Sequence, residues 1–380
     1  MKQAWIVSPA LDLFFVCGGG VFALAFLSHI AAHCGALHQT VFYNNLAVAL
    51  ALLLGETHTT ATIVGLAHDG KWSAKHGGRS KTVAWLCLIL AFAILLIPAL
   101  VPLAVRMYLL SVSWHFTRQV YGIVLIYCRK SGYEPDSIDR GLWQAVLQLT
   151  MLVWICVQLS NYLAVKEEVF LLQRLPPLAI LPPGIVDIML GAILTCTLLI
   201  AARLIFQIFS ASACNRIGQS VPPPQALLLL FAVVFMFLPL GPALLFQGPI
   251  WLYAPALFHG SQYLCVMWAR FSGESDQPER ATALTGLYAK CLTLALLFFV
   301  CLPFCLSQVF AARGLHYDAA VVAVFVAVQI YHMAMDAVIW RGGKLPQSRS
   351  GYCGLKLRVG HRGSTVVHGA TAVTVCLNRR

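Results

Sequence analysis

The chain has 380 residues, of which 59% are hydrophobic and 11% are charged. Soluble domains carry about 25% charged residues, so this composition excludes an ordinary soluble enzyme and is typical of a membrane protein. The net charge of +12 does not indicate nucleic-acid binding, because eight of the 26 Lys and Arg follow residue 340 in a segment without Asp or Glu. Basic residues beside membrane spans orient the protein and meet anionic lipids. We therefore expect membrane lipids as partners and no nucleic acid.

Apolar runs of about 20 residues, the length that spans a bilayer, recur along the chain between polar or proline-rich breaks. They predict an all-α fold, a polytopic bundle of about ten transmembrane helices. The predicted spans are 11–33, 41–67, 82–105, 107–128, 141–165, 184–208, 225–246, 250–271, 286–308 and 318–340. The break at Arg106 has an alternative, a single kinked unit over 82–128. Residues 1–342 form the bundle, and 343–380 are predicted to be a basic, irregular tail.

Lysine and arginine are distributed unevenly between the two sides that these spans define. With the N-terminus inside, the inner loops 68–81 and 129–140 are rich in basic residues, as is the tail. One loop pair departs from this pattern, because Arg216 is inside while Lys166 and Arg174 are outside. The positive-inside rule then predicts cytoplasmic termini and a location in a bacterial inner membrane.

Four predicted spans contain nearly all the ionisable side chains that fall within spans. Grouped by span in chain order, the ionisable residues and the polar residues beside them are Glu56 and His58; His115, Arg118 and Gln119; His259, Gln262 and Tyr263; and His332 and Asp336. Ionisable groups inside a membrane are costly, so each of them is a candidate for function.

The spacing within three of these spans predicts a single polar helix face. The pairs at i, i+4 are His115 with Gln119, His259 with Tyr263, and His332 with Asp336. Arg118 and Gln262 stand at i+3, and residues three or four apart are neighbours on a helix surface. Glu56 and His58 differ, since two positions of separation point them to nearly opposite sides. Only one of that pair can face a shared centre.

The four histidines also fall at similar predicted depths. All four helices run from outside to inside, and at ~1.5 Å per residue the histidines lie within a ~10 Å slab of the ~30 Å hydrocarbon core. One shared site is favoured over four separate hydrogen bonds between helices.

Four imidazoles and two carboxylates form a donor set for a transition metal. Imidazole suits iron, copper and zinc, and a carboxylate favours iron or zinc among them. The predicted ligands are His58, His115, His259 and His332, with Glu56 and Asp336 as ligands or as partners of ligands. The predicted catalytic residues, which would orient the substrate or a ligand, are Arg118, Gln119, Gln262 and Tyr263.

A metal at this depth would meet lipid-soluble molecules that enter sideways between helices. Iron with open positions and dioxygen would make an oxidase, an oxygenase or a desaturase, and an oxidative iron enzyme is the function that we expect. The sequence lacks the dense HxxHH-type boxes of membrane desaturases and alkane hydroxylases, which counts against those families.

Two other functions use the same residue types. Histidines and carboxylates on facing helices form proton relays in transporters, where Arg118 would hold an anionic substrate. The sequence shows neither repeated halves nor the matched broken helices of many secondary transporters. Histidines from two helices could instead ligate a haem, which would leave Glu56, Asp336 and Arg118 without a role.

Three segments resemble recurring parts of uncharacterised bacterial polytopic membrane proteins rich in histidine. They are "SWHFTRQVYGI", "LFHGSQYLCVMWAR" and "YHMAMDAVIWR", and the resemblance implies no established activity. A looser similarity is to the Brp/Blh-type carotene dioxygenases, polytopic enzymes that use His-bound iron. It rests on scattered histidines in membrane helices, so it implies no role for an individual residue.

Overall fold

A computed structural model describes residues 5–34, 42, 45–46, 49–68, 70–97, 99–160, 168–170, 173–175, 180–182, 184–213, 221–237, 250–272, 279–311 and 317–342. Their elements are helical except for one antiparallel hairpin, Glu168–Phe170 (β1) with Gln173–Leu175 (β2). The coarse prediction of a helical protein is confirmed for these residues. The predicted tail, 343–380, lies outside them.

The longer α-helices of the described residues are numbered in chain order. They are Gly19–His33 (α1), Thr57–His68 (α2), Gly70–Leu96 (α3), Leu100–Ser131 (α4), Ser137–Ser160 (α5), Gly184–Ala213 (α6), Pro224–Phe237 (α7), Ile250–Ser272 (α8), Glu279–Leu296 (α9), Leu302–Val309 (α10) and Tyr317–Gly342 (α11). A short turn, Pro9–Leu11, precedes them, and π-helical segments lie at Asp12–Val16, Ala51–Glu56 and Leu297–Cys301.

Five helical segments of the described residues are long and apolar enough to cross a membrane. They are His76–Leu96, Ser137–Val157, Gly184–Ser210, Thr285–Val309 and Tyr317–Ala337. Of the helices that carry predicted site residues, only α11 is among them. The count of ten spans and the cytoplasmic termini stay predictions.

The sequence predicts an inner loop over residues 68–81, and this prediction is wrong for most of that segment. Helix α3 begins at Gly70 and runs to Leu96, so these polar residues form the first turns of a long helix. Lysine and alanine are good helix formers. Each of the two glycines, Gly77 and Gly78, lowers helix stability by only about 1 kcal/mol relative to alanine.

The predicted break at Arg106 is also wrong. Helix α3 ends at Leu96 and α4 begins at Leu100, so Arg106 lies inside α4, where it is buried. Proline accounts for the position of the break. Pro98 follows α3 in the sequence, and Pro102 stands in the first turn of α4, where a missing N–H leaves no helical bond unmade.

The predicted span 11–33 is not one continuous helix. A π-helical turn that starts at Asp12 is followed by a break at Gly18, whose φ of 87° suits a residue without a side chain. The Asp12 carboxylate accepts a hydrogen bond from the hydroxyl of Tyr127 in α4 at 2.8 Å. A Cβ on Gly18 would lie 2.8 Å from Cε2 of Phe258, so the break lets this segment pack closely on α8.

Helix α8 crosses the π-helical segment Ala51–Glu56 at backbone contact. A Cβ on Gly260 would lie 2.5 Å from the carbonyl oxygen of Leu54 and 2.9 Å from Cα of Gly55. Small residues permit such approaches between membrane helices. Because α2 directly follows the π-helical segment, the crossing brings His259 close to the first turn of α2.

Helix α11 lies at the centre of the bundle. It packs against α2, α3, α4 and α10. Of its apolar span 67% is buried, compared with 11% for the span in α3. Three polar side chains of α11, those of Gln329, His332 and Asp336, are buried against neighbouring helices.

A buried polar network joins the end of α4 to α5 and α6. Asp139, 3% exposed, accepts hydrogen bonds from the hydroxyl of Tyr133, from Nε of Arg203 at 3.3 Å and from Nε2 of Gln207 at 3.0 Å. Burial of the ring, reinforced by the bond to Asp139, raises the pKa of Tyr133, so its phenol stays a protonated donor.

We expect Asp139→Ala to lower the free energy of unfolding by about 1–3 kcal/mol, because it leaves the buried Tyr133 hydroxyl without its acceptor and removes one of the two acceptors of Gln207 Nε2. Unfolding in detergent with increasing SDS, followed by circular dichroism, measures the change. The matched control is Glu134→Ala, which removes an exposed carboxylate from the loop between α4 and α5 and should alter stability by less than about 0.5 kcal/mol. Equal stability of the two variants would refute this role of Asp139.

Candidate metal centre

The structure brings the four predicted histidines together between α2, α4, α8 and α11. The ring centroid of His58 lies 4.7 Å from that of His259 and 4.7 Å from that of His332. The ring of His115 lies 4.7 Å from His259 and 5.0 Å from His332. All four side chains are buried, with His115 the most exposed at 5%. The four rings therefore share one small volume inside the bundle.

Two groups of ligand atoms converge in this volume. His58, His259 and His332 form one, and His115, His332 and Asp336 form the other; within each, the ligand atoms lie within 4.8 Å of one another. Nε2 of His115 is 3.1 Å from Nε2 of His259. Oδ2 of Asp336 is 3.8 Å from Nε2 of His115 and 3.7 Å from Nε2 of His332.

These separations fit ligands of one first-row transition metal. With metal–nitrogen bonds of about 2.0–2.1 Å, two ligands of the same ion lie roughly 3 Å apart when adjacent and about 4.2 Å apart when opposite. The contact between His115 and His259 matches the adjacent case. The distances from Oδ2 of Asp336 to Nε2 of His115 and of His332 fall between these two values. The widest pairs of ligand atoms, at up to 4.8 Å, would need to approach each other by a fraction of an ångström to bind one ion.

His332 belongs to both groups, and its hydrogen bonding limits the centre to one ion. Its Nδ1 lies 2.8 Å from the hydroxyl of Thr62, which leaves Nε2 as the nitrogen available to a metal. One nitrogen offers one lone pair. An ion in either group would therefore use the same lone pair of His332, so the two groups cannot each hold their own ion through it.

Several nitrogens of the centre have no hydrogen bond among the described residues. They are both ring nitrogens of His58, Nδ1 of His259 and Nε2 of His332. The carbonyls of Leu54 and Gly55 lie near the His58 ring without forming a bond of ordinary geometry. Buried polar atoms are nearly always paired, so this concentration requires an explanation. A metal ion would use the lone pairs that face one another.

Helix α8 is held beside the centre by an amide chain. Nε2 of Gln119 donates to the carbonyl of His259 at 3.1 Å and to Oε1 of Gln262 at 3.4 Å. Nε2 of Gln262 in turn donates to the carbonyl of Val16 at 2.8 Å. The Phe116 ring stacks on His259 at a centroid distance of 4.1 Å. These contacts fix the orientation of the His259 ring.

Two predicted site residues lie away from the centre. The Arg118 side chain is exposed, and its guanidinium lies 5.5 Å from the ring of Trp114. Glu56 is partly buried and accepts a hydrogen bond from Nε2 of Gln329 at 2.9 Å. The prediction that Arg118 shares the polar face of His115 is wrong. Glu56 bonds Gln329 of α11, the helix that also carries His332, and it belongs to neither ligand group.

The sequence reasoning missed Thr62 as an individual residue. Its hydroxyl lies 2.9 Å from the hydroxyl of Tyr263 and 3.1 Å from Oδ1 of Asp336, in addition to its contact with His332. The i, i+4 spacing from His58 to Thr62 was the signal that could have found it, since this spacing identified the polar faces of the other helices.

We expect Gly260→Ala to weaken both the fold and the centre. Contacts under 3.0 Å are essentially never seen for a Cβ, so α8 must move away from Leu54 and carry His259 with it. Overpacking of this kind costs about 1–3 kcal/mol, which unfolding in detergent would show. Gly191→Ala is the control, since its Cβ meets no atom within 4 Å and should be neutral or stabilising. Unchanged stability of Gly260→Ala would contradict the close helix crossing.

Comparison with protein-family models, with curated proteins and with solved structures found no match. The proposals that follow rest on the side chains of the centre and on the apolar character of the helices around it.

Proposed function

We propose that the protein is a membrane-embedded, metal-dependent enzyme that oxidises a lipid-soluble substrate. The metal would be held by His58, His115, His259 and His332, with Asp336 as the fifth donor. The location is a bacterial inner membrane, with lipids around the bundle. One observation supports this proposal above all others, namely four buried histidines with clustered rings, three of which have ring nitrogens without a hydrogen bond among the described residues.

A structural role explains the cluster less completely than a metal does. One hydrogen bond between Nε2 of His115 and Nε2 of His259 would satisfy that pair. It would leave both nitrogens of His58 and Nε2 of His332 buried without partners. Each such group lowers the stability of the fold by about 1–3 kcal/mol. A cluster that only joined helices would therefore destabilise the protein.

Iron fits the donor set best. Four imidazoles and one carboxylate form a mixed nitrogen and oxygen set without thiolate, which suits iron or zinc more than Cu(I). Structural zinc is almost always four-coordinate, whereas five donors suit a larger coordination number. The similarity to carotene dioxygenases, although loose, also favours iron. Bound iron would supply the redox chemistry by which dioxygen oxidises the substrate.

The surroundings of the centre support a lipid-soluble substrate. The histidines are buried among apolar helices, and an aromatic ring, that of Phe116, covers His259. The amide nitrogens of Gln119 and Gln262 bond backbone carbonyls, and the two side chains bond each other, so they hold α8 in place. The buried amide oxygen of Gln119 has no hydrogen bond among the described residues. Arg118, on the exposed side of α4, is available to an anionic group at the protein surface.

Haem ligation is the weaker alternative on geometric grounds. Two axial nitrogens of a haem lie about 4 Å apart on opposite faces of the macrocycle. Here the His115 and His259 nitrogens approach to 3.1 Å, and the rings touch edge to face at 4.7 Å between centroids. No macrocycle fits between them.

Proton-coupled transport remains the second candidate because Glu56 adds a partly buried carboxylate that belongs to neither ligand group. It accepts a hydrogen bond from Gln329, which lies about one helical turn before His332 in α11. In a transporter the metal or a proton would exchange rapidly through the centre, whereas an enzyme would retain the metal.

Elemental analysis of detergent-purified protein tests the metal proposal. We expect about one iron per chain in the wild type, retained through gel filtration, and loss of most of it in His58→Ala and His332→Ala, because each removes one of few ligands. His76→Ala, which changes a histidine in the first turns of α3, is the control and should keep its metal. Metal far below one per chain in the wild type, unchanged in the two ligand variants, would overturn the proposal.

Mass spectrometry of lipids tests the oxidative activity. Metal-loaded protein in vesicles made from bacterial lipid extract, exposed to ¹⁸O₂, should change the mass of a lipid-soluble compound by oxygen addition or by hydrogen loss. The change should require dioxygen and should be absent from His332→Ala. An unchanged lipid extract with fully loaded protein would argue against oxidation and leave transport as the better candidate.

A further inference from the structure

The Thr62 hydroxyl is a junction of three polar side chains at the edge of the metal centre. It lies 2.9 Å from the hydroxyl of Tyr263, 2.8 Å from Nδ1 of His332 and 3.1 Å from Oδ1 of Asp336. Thr62 is 1% exposed and Tyr263 is 1% exposed, so water does not compete for these contacts.

An ionised Asp336 determines the direction of each of the three hydrogen bonds at this junction. A hydroxyl has one hydrogen to donate and two lone pairs to accept with. A carboxylate that ligates a metal is deprotonated and only accepts. The hydrogen of Thr62 therefore goes to Asp336, and its lone pairs receive the hydroxyl of Tyr263 and the Nδ1–H of His332.

The opposite arrangement leaves two contacts unsatisfied. If Thr62 donated to Nδ1 of His332, its oxygen would face Oδ1 of Asp336 with no hydrogen between them. The proton of His332 would then be on Nε2, which has no hydrogen bond and lies 3.7 Å from the nearer Asp336 oxygen, beyond bonding distance. Only one arrangement satisfies all three neighbours of Thr62.

We infer that Thr62 is the positioning residue of the centre, which fixes the tautomer of His332 and the direction of the Asp336 carboxylate. With the proton held on Nδ1, the lone pair of Nε2 faces the other histidines. With Oδ1 held by Thr62, Oδ2 faces Nε2 of His115 and of His332. This inference rests on the proposed metal centre and adds the residue that prepares two of its ligands.

Cobalt titration of the metal-free protein in detergent tests this role by affinity. We expect Thr62→Val to bind Co²⁺ about 10–100-fold more weakly than the wild type, the usual effect of losing a partner of a metal ligand. Thr62→Ser keeps the hydroxyl and should restore most of the affinity. Thr60→Val is the matched control, because Thr60 is buried in the same helix and bonds the carbonyl of Cys291 at 2.7 Å. If Thr62→Val binds like Thr60→Val, Thr62 has only a packing role.

Nitrogen NMR of ¹⁵N-histidine-labelled, metal-free protein in lipid tests the tautomer without a metal. The signals of His332, identified by their loss in His332→Gln, should show a protonated Nδ1 in the wild type and in Thr62→Ser. In Thr62→Val, the proton should move largely to Nε2. A wild-type His332 protonated on Nε2 would overturn the inference. Failure of the wild type to bind any Co²⁺ would instead contradict the metal centre, and the NMR result would still decide the role of Thr62.

Discussion

The close crossing of helix α8 over the π-helical segment Ala51–Glu56 is the constraint on which the centre depends. At Gly260 a hydrogen atom stands where any side chain would collide with the backbone of Leu54 and Gly55. The backbone contact brings His259 within 4.7 Å of His58, measured between ring centroids. A π-helical turn places an extra residue in the helix and is common at functional sites. Here it precedes the helix that presents His58.

The rest of the bundle serves to hold four helices around this crossing. Helix α11, which carries His332 and Asp336, is the most deeply buried of the five apolar spans in the described residues. The interrupted N-terminal segment also contributes, since the carbonyl of Val16 accepts a hydrogen bond from Gln262. Polar side chains that would be costly in lipid are thus placed where other helices cover them.

Buried polar atoms with and without hydrogen bonds are distributed unevenly between the Asp139 network and the histidine cluster. Around Asp139 the carboxylate has a donor for each oxygen, and the amide oxygen of Gln207 is left without a hydrogen bond among the described residues. At the histidines, by contrast, four ring nitrogens have no hydrogen bond among the described residues, while Thr62 satisfies all of its neighbours. Evolution of a merely structural cluster would be expected to pair these nitrogens as well. These nitrogens belong to residues that could hold a metal ion.

The sequence by itself determined that the protein is helical and apolar, and which positions on each helix share a face, because the helical repeat is a local property. It could not decide which part of a face turns inward. At about 100° per residue, Arg118 lies about 60° to one side of His115 and Gln119 about 40° to the other. Packing against α8 buries Gln119 and leaves Arg118 exposed. The backbone crossing at Gly260 and the junction at Thr62 likewise depend on contacts between residues far apart in the chain, and only the tertiary structure could decide them.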